Sequence, residues 1–468
     1  MQKISHLLFN FEKKEHAIAI PWFDFDTLIA RNLPYVKFMI QKLTWFFLVI
    51  PVLSLASCGD GPEEIESATI EVDFSISNNV KSMSGFLHGV TADNPPDSLI
   101  TSLEPKLMRG GGQFFSAYNR KVALKARPIL MLTDLWYSYS NGFETMPYDD
   151  YDAYRQFVLD VIDSTKDLNV IYDIWNEPDQ GGEGFVFWKG TKEQFFETFK
   201  ITHDILRAES NKDVLISGPS THWSPKYLDD FLKYCLVHDV QLDVLSWHEF
   251  QAGNDISQVA TNLIRMRQDY VENPVFAQLG IQEIHINEYS FTDKHMVPAF
   301  ILAYLYYLEK GQADGACRTC WYNCWNSSIS DLLTDELEPR AAWWVHKYYA
   351  ESSSHRVQSS TNQRFLVPFA SLTPDQDSKA RLLLANHYIS PIENMSIRLK
   401  NITSIPGLED AQDVRMVWHK IPSTEKLPLF EPLMIDEKVI SVVNGEITLE
   451  RKDFSNKDVH LIEIYAME

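Results

Sequence analysis

Glycine-rich nucleotide loops, His-x-His pairs and well-placed strand-end lysines are all missing from these 468 residues. Their absence removes chemistry built on a phosphate-cradling loop, on the metal sites of barrel hydrolases and on a lysine Schiff base. Positive charge is also scarce. Lys and Arg number 42 against 64 Asp and Glu, a formal charge of −22, so a phosphate backbone would be repelled and no nucleic-acid partner is expected. Beyond that, acidity is the ordinary property of a soluble surface. No long apolar run is present either: Leu43 to Ala56, about 14 residues, is short for a membrane span but suits a signal-peptide core. No internal repeat is visible.

Cysteine is sparse, with five in the whole chain. Cys317, Cys320 and Cys324 invite a zinc reading by spacing. If residues 315–321 form a strand, however, Cys317 and Cys320 lie roughly 10 Å apart on opposite faces. Neither a shared metal nor a mutual disulfide fits that geometry. Cys235 falls on the apolar stripe of a helix and reads as packing. No metal and no cofactor is expected.

Hydrophobic residues make up 45% and aromatics 13%, enough for a large core. The length accommodates one large domain and a smaller one. Between residues 85 and 352, short apolar runs alternate with amphipathic helices. The expected strands are Phe86–Val90, Lys106–Arg109, Pro128–Leu132, Val170–Trp175, Val214–Ser217, Leu242–Trp247, Glu283–Glu288 and Asp314–Trp321. Helical stripes run through Tyr154, Phe157, Val158, Val161 and Ile162, and through Leu228, Phe231, Leu232, Cys235 and Leu236 after Ser224-Pro225. Another follows Phe195, Phe199, Thr202 and Leu206. A helix over Pro298–Lys310 is expected to end on Gly311 as its C′ residue. The linker between the second and third strands is short for a helix. Eight strands alternating with helices predict an α/β fold, a (β/α)8 TIM barrel with its site at the strands' C-terminal ends.

From 353 to 468 the pattern changes to short runs between turn-rich segments: Arg364–Phe369, Ala380–Asn386, Met395–Leu399, Val414–His419 and Val459–Tyr465. These predict an accessory C-terminal β-sandwich. The alternating stretch within 68–84 is expected to join that sandwich as an N-terminal strand.

Two strands end in Asn-Glu. Val170–Ile174 runs into Trp175-Asn176-Glu177-Pro178, and Ile284-His285-Ile286 into Asn287-Glu288. A pair of carboxylates delivered from strand ends suits glycosidic cleavage. One must hold a proton for the leaving oxygen while the other attacks the sugar ionised. Glu283 is a rival for the second role, but it starts its strand and so falls near the opposite end of the barrel.

With these motifs the chain resembles the clan A retaining glycoside hydrolases, and it is most similar to family 39, the β-xylosidase and α-L-iduronidase family. The resemblance covers nearly the whole mature chain. It implies Glu177 as general acid/base, Glu288 as nucleophile and Asn176 as a partner of the sugar 2-hydroxyl. It also implies Arg109, at the end of the second strand, as a cation beside the nucleophile. His248 stands where the family has His-x-Tyr, but the third residue here is Phe250. That departure removes the usual hydroxyl beside the nucleophile and leaves Tyr289 and Tyr322 as candidates to replace it. Among the strand-end aromatics Trp136, Tyr137, Trp175, Trp247, Trp321, Tyr322 and Trp325, those expected to contact sugar are Trp136, Trp321 and Tyr322.

Leu55-Ala56-Ser57-Cys58 resembles the lipobox of bacterial lipoproteins, with Cys58 lipidated. Residues 1–57 then form the signal region, whose translation start is placed at Met39. Residues 58–67, including Gly59–Glu64, form an acidic tether of the kind found in Bacteroidetes lipoproteins. The expectation is an extracytoplasmic enzyme anchored to a bacterial outer membrane by lipid alone, acting on an oligo- or polysaccharide by double displacement in a β-xylosidase-like manner. Two other readings share these residues: an endo-acting glucanase or mannanase of the same clan, and a glycan-binding surface lipoprotein without catalysis.

Overall fold

The computed structural model describes residues 65–467 apart from 112–119, 121–124, 141, 143, 181–186, 211–213, 251–254, 323, 325, 353–354, 374–375 and 389. The signal region 1–57, Cys58, most of the tether, Trp325 and most of the linker between the second and third barrel strands lie outside the described residues.

Among the described residues, β1 (Ile65–Asn79) belongs to a second sheet, and eight parallel strands then close a barrel in chain order. They are β2 (Gly85–Leu87), β3 (Leu107–Gly110), β4 (Arg127–Met131) and β5 (Ile171–Asp173), then β6 (Leu215–Thr221), β7 (Val244–Glu249), β8 (Glu283–Tyr289) and β9 (Gly315–Arg318). Side chains alternate across each strand. Leu107, Ile129, Ile171, Val244 and Cys317 point inward and fill the barrel floor. Their neighbours Met108, Leu130, Tyr172, Leu245 and Ala316 point outward into the core beneath the helices.

The outer helices are α1 (Asp97–Thr101), α2 (Leu132–Tyr139), α3 (Tyr151–Thr165), α4 (Lys192–Glu209), α5 (Pro225–Val237), α6 (Gln258–Met266), α7 (Pro298–Lys310) and α8 (Ala341–Glu351). Their starts follow the sequence. Asp150 caps α3 by accepting from the backbone N–H groups of Asp152 and Ala153, and Thr191 and Gln194 form a reciprocal capping box on α4. Such caps contribute about 1 kcal/mol each. The stripe Tyr154, Phe157, Val158, Val161 and Ile162 of α3 is buried as the spacing predicts.

Helix α7 is apolar on all sides because it has a core on both, packing on the barrel and on the second sheet. Glu309 near its end accepts from Arg356 Nη2 and from Tyr349 Oη, both at 2.7 Å, fastening the two layers together. Gly311 departs from the expected left-handed C′ residue: its φ is −78°. A Cβ there would come within 2.7 Å of Leu263 Cδ1 and 2.9 Å of Ala260 Cα, so the glycine serves close approach of α6 rather than a turn.

The second sheet is β-sandwich-like. It runs in the order β15 (Leu433–Ser441), β14 (Asp413–Ile421), β17 (Val459–Ala466), β12 (Ala380–Asn386), β11 (Leu366–Leu372), β10 (His355–Thr361), β1, β13 (Ile392–Lys400) and β16 (Ile447–Phe454). The early alternating run lies in β1, parallel to β13 and antiparallel to β10. It places Ile70, Val72 and Phe74 in a core with Leu382, Trp418 and Ile464. The sequence pattern contains no run for β10, β15 or β16. β15 and β16 are the sheet's edges, where one strand lacks a neighbour and charge replaces apolar alternation. Glu437 and Lys438 are exposed on β15.

Three barrel strands, β2, β5 and β9, are shorter than expected, and the last matters for the cysteines. β9 ends at Arg318 rather than at Trp321, so Cys320 lies in the following loop and is free to reach Cys324, with which it forms a disulfide. Cys317 and Cys320 form no mutual disulfide, as their opposite faces predict; the pairing of Cys320 with Cys324 arises because the chain leaves the strand after Arg318. Cys235 and Cys317 are buried free thiols.

Candidate active site

Above the apolar floor, the barrel's next inward layer is polar. Arg109 of β3 is fully buried and is the centre of it. Its guanidinium donates from Nε to Asp173 Oδ2 at 2.8 Å, from Nη1 to Glu288 Oε1 at 2.7 Å and from Nη2 to Asn176 Oδ1 at 2.7 Å. Burial disfavours the guanidinium charge, but Asp173 and Glu288 outweigh it and raise the Arg109 pKa. Asp173 Oδ1 in turn accepts from Ser220 Oγ at 2.7 Å, and Asn287 Nδ2 donates to Ser220 Oγ at 3.0 Å. A planar fork with fixed donors is what three acceptors in different directions require.

Alternation alone would not deliver Glu288. On β8, Glu283, His285 and Asn287 share the inward parity, which would turn Glu288 outward. Between β7 and β8, however, the pairing passes from Trp247 opposite Ile286 to His248 opposite Glu288. Asn287 is the extra residue of a bulge, and a bulge re-aims the strand after it. Asn287 and Glu288 therefore both face inward. β6 shows the same device, with a register shift between Pro219 and Thr221 and a left-handed Ser220 at φ 50°. Glu177 lies past the end of β5 with φ 46°, its N–H bonded to Ser220 O at 2.9 Å. A strained φ on a non-glycine residue marks a position held by its surroundings.

His248 stands between the two glutamates. Its Nδ1 shares a proton with Glu177 Oε1 at 2.9 Å, and its Nε2 lies 3.8 Å from Glu288 Oε1. Burial drives the imidazole pKa down to about 3, so the ring is neutral and the contacts are not salt bridges. The Glu177 carboxyl is pushed up to about 7, chiefly by burial, with Asp179 adding to the shift and His222 and Arg109 opposing it. The second oxygen of Glu288, Oε2, accepts from Thr319 Oγ1 at 2.8 Å. One carboxyl thus holds a proton near neutral pH while the other is paired with a buried arginine, an arrangement suited to acid–base and nucleophilic work on either side of one bond.

The hydroxyl that Phe250 lacks comes from Thr319, not from Tyr289 or Tyr322. Tyr289 is buried and turned outward against Tyr304, with ring centroids 5.6 Å apart. Tyr322 is 50% exposed, with Lys426 Nζ 3.8 Å from its ring centroid. Thr319 has the inward parity of Cys317 on β9, but a strand read through to Trp321 gives no reason to single it out. Asp173 was legible only as a strand residue. Asp134 also went unread: it is part-buried on the first turn of α2, its carboxyl pushed up to about 7 mainly by desolvation.

The aromatics divide. Trp136 is buried rather than lining the strand ends, donating to Thr145 O at 2.9 Å and packed on Tyr154 and Phe157 of α3. It lies on α2, which begins directly at the end of β4, and so it faces the helical layer. Tyr137, Trp175 and Trp247 are buried as well. Trp321 is half-buried, held by a bond from Nε1 to Ser290 O at 3.0 Å and by the rings of Phe250 and Phe291. Glu283 is at the foot of the barrel, paired with Arg127 at 3.0 Å and with His285 at 2.7 Å.

The family model for glycosyl hydrolases family 39 matches residues 163–287, from the end of α3 through β5, Glu177 and most of β8. The chain is a glycoside hydrolase, and over this segment it is similar to family 39. Solved structures share its fold. One is N2152 from Neocallimastix frontalis, at 21% identity and a TM-score of 0.70 over 86% of this chain and all of that one. Another is the GH39 enzyme of Xanthomonas axonopodis pv. citri, at 13% and 0.62 over 88% of this chain and all of that one. A third is a monomeric β-xylosidase of Caulobacter crescentus CB15, at 14% and 0.62 over 86% of this chain and all of that one. No curated protein sequence matches. The substrate of this hydrolase is a carbohydrate.

Proposed function

We propose that the hydrolase cleaves β-xylosidic bonds with retention, through a covalent glycosyl-enzyme. In this reading Glu288 attacks the anomeric carbon as the bond to the leaving oxygen breaks, and Glu177 gives that oxygen its proton. In the second step Glu177 takes a proton from water, the water attacks the anomeric carbon, and the bond to Glu288 breaks. The observation that carries the reading is the pair of environments around one neutral imidazole, with a proton-holding Glu177 on one side and an Arg109-paired Glu288 on the other. Asn176, oriented by Arg109 through its Oδ1, turns its Nδ2 to the other side for the sugar 2-hydroxyl. Trp321 supplies an aromatic wall. Tyr322, being exposed, serves at most the rim.

The test is hydrolysis of an aryl β-xyloside by the chain from Gly59 onward and by two variants. Glu288→Ala should abolish turnover, and azide should restore the Glu177→Ala variant by forming a glycosyl azide of the substrate's own configuration. Turnover surviving Glu288→Ala would defeat the assignment.

The same proposal places the enzyme outside the cytoplasm, lipid-anchored through Cys58. The segment Leu43–Ala56, the run Leu55-Ala56-Ser57-Cys58 and the Cys320–Cys324 disulfide support it, since such bonds persist in oxidising compartments. Labelled palmitate should enter the bacterial product and be lost in Cys58→Ala; an unlabelled wild type would contradict the anchor.

A further inference from the structure

The longest run of left-handed backbone lies next to the loop that follows β9. Ile329, Ser330 and Asp331 have φ of 48°, 52° and 65°, the only three consecutive non-glycine residues in that region among the described residues. One of them is β-branched, for which the conformation is an outlier, and all three are fully buried. Such a run persists only where its surroundings over-determine it.

Two of the three are explained by the closure of the barrel. β2 and β9, its first and last strands, pair at Phe86 and Arg318. Past that point the turn fills the seam. Ile329 N–H donates to Gly89 O at 3.1 Å, Arg318 Nε donates to Ser330 O at 3.2 Å, and Ser330 Oγ accepts from Leu87 N–H at 3.0 Å. The Asp331 carboxyl serves a different place. Its Oδ2 accepts the backbone N–H of Trp321 at 2.7 Å and that of Tyr322 at 3.0 Å. His295 Nε2 is further from the same oxygen, at 3.3 Å.

Trp321 is thereby pinned twice. Asp331 holds its backbone, and Ser290 O holds its indole Nε1 at 3.0 Å, so the plane of the ring is fixed. Thr319 is fastened separately, by its N–H to Tyr289 O at 3.1 Å, which leaves its contact with Glu288 independent of Asp331.

We propose that Asp331 is a positioning residue of the active site: through the N–H groups of Trp321 and Tyr322 it sets the angle of the Trp321 ring, and the left-handed turn is the backbone form that brings its carboxyl to them. The Asp331 side chain is fully buried, so it acts through the ring and not on the sugar. The inference rests on the reading of Trp321 as a wall for the sugar. Hydrogen bonds from amides to a carboxylate are of the stronger kind, and losing them lets the wall tilt while Glu177 and Glu288 keep their partners.

The experiment is a double-mutant cycle on an aryl β-xyloside. Asp331→Gly removes the carboxyl and adopts a positive φ without steric cost, so backbone strain does not confound it. Asp331→Asn keeps an acceptor without the charge. Asp331→Gly should raise KM about three- to tenfold, with kcat within a few-fold of wild type, and Asp331→Asn should raise KM less. In a Trp321→Ala background Asp331→Gly should add nothing further to KM, because the ring it orients is gone. A full further increase there, or an unchanged KM in an Asp331→Gly protein with native circular dichroism, would make Asp331 a structural residue and overturn the proposal. Should the glycine variant not fold, the asparagine variant carries the same comparison. A wild-type KM in Trp321→Ala alone would defeat the wall reading, and this inference with it; a KM raised by Trp321→Ala but not by Asp331→Gly counts against Asp331 only.

Discussion

Thr319 Oγ1 donates to Glu288 Oε2 at 2.8 Å, occupying the carboxylate oxygen that Arg109 does not hold. The two oxygens of Glu288 are thereby oriented from two places, β3 and the residue directly after β9. A hydrogen bond to a charged group is worth ~1.5–3 kcal/mol.

Thr319→Val keeps the shape and removes the donor. On an aryl β-xyloside, turnover should fall roughly 10- to 100-fold, while Thr319→Ser should stay within a few-fold of wild type. Wild-type turnover in the valine variant would show that the contact does nothing for the reaction.

Arg109→Lys leaves one charge but cannot serve Asp173, Asn176 and Glu288 together. Breaking a buried pair by removing one partner costs about 3–5 kcal/mol, so the urea midpoint should drop sharply along with activity. Near-native stability in this variant would mean the buried network is not under the tension its geometry implies.

The Glu177 carboxyl must be protonated to act as an acid. With its pKa near 7, kcat/KM should decline as the pH rises through that value. Stability follows the same sign. The folded value, about 7, exceeds the ordinary 4.5, so the folded state binds more protons between those limits and loses stability as pH rises through them. Glu177→Gln, which does not titrate, should be inactive yet more stable than wild type above neutrality, by roughly 1–3 kcal/mol. Parallel melting-temperature profiles across pH would refute this.

The Cys320–Cys324 disulfide encloses Trp321 and Tyr322, directly after Thr319. Cys320→Ser with Cys324→Ser should cost about 2 kcal/mol for so short a loop. If Trp321 is the aromatic wall proposed above, KM should rise more than kcat falls, because the carboxyls stay put. An unchanged KM, with thiol titration confirming the change, would separate the disulfide from substrate binding.

Much of the scaffold could be read directly. The eight barrel strands, the stripes of α3 and α4 and the capped start of α5 are local patterns, each written in residues within a few positions of one another. Glu177 and Glu288 were visible because Asn-Glu closes two apolar runs. Edge strands such as β15 were not, because a strand with one neighbour and a wet face carries no apolar alternation.

The sequence by itself determined the order of the barrel's elements and the two strand ends that carry glutamates. Tertiary structure decided where those side chains point. Periodicity assigns Glu288 outward, and only pairing with β7, with Asn287 as the extra residue, turns it in. The donor for its second oxygen, the burial of Trp136 and the closure of Cys320 onto Cys324 were settled in the same way. Each depends on which residues from distant strands and loops come to lie side by side, and hydrophobic period within one strand holds no record of register between two.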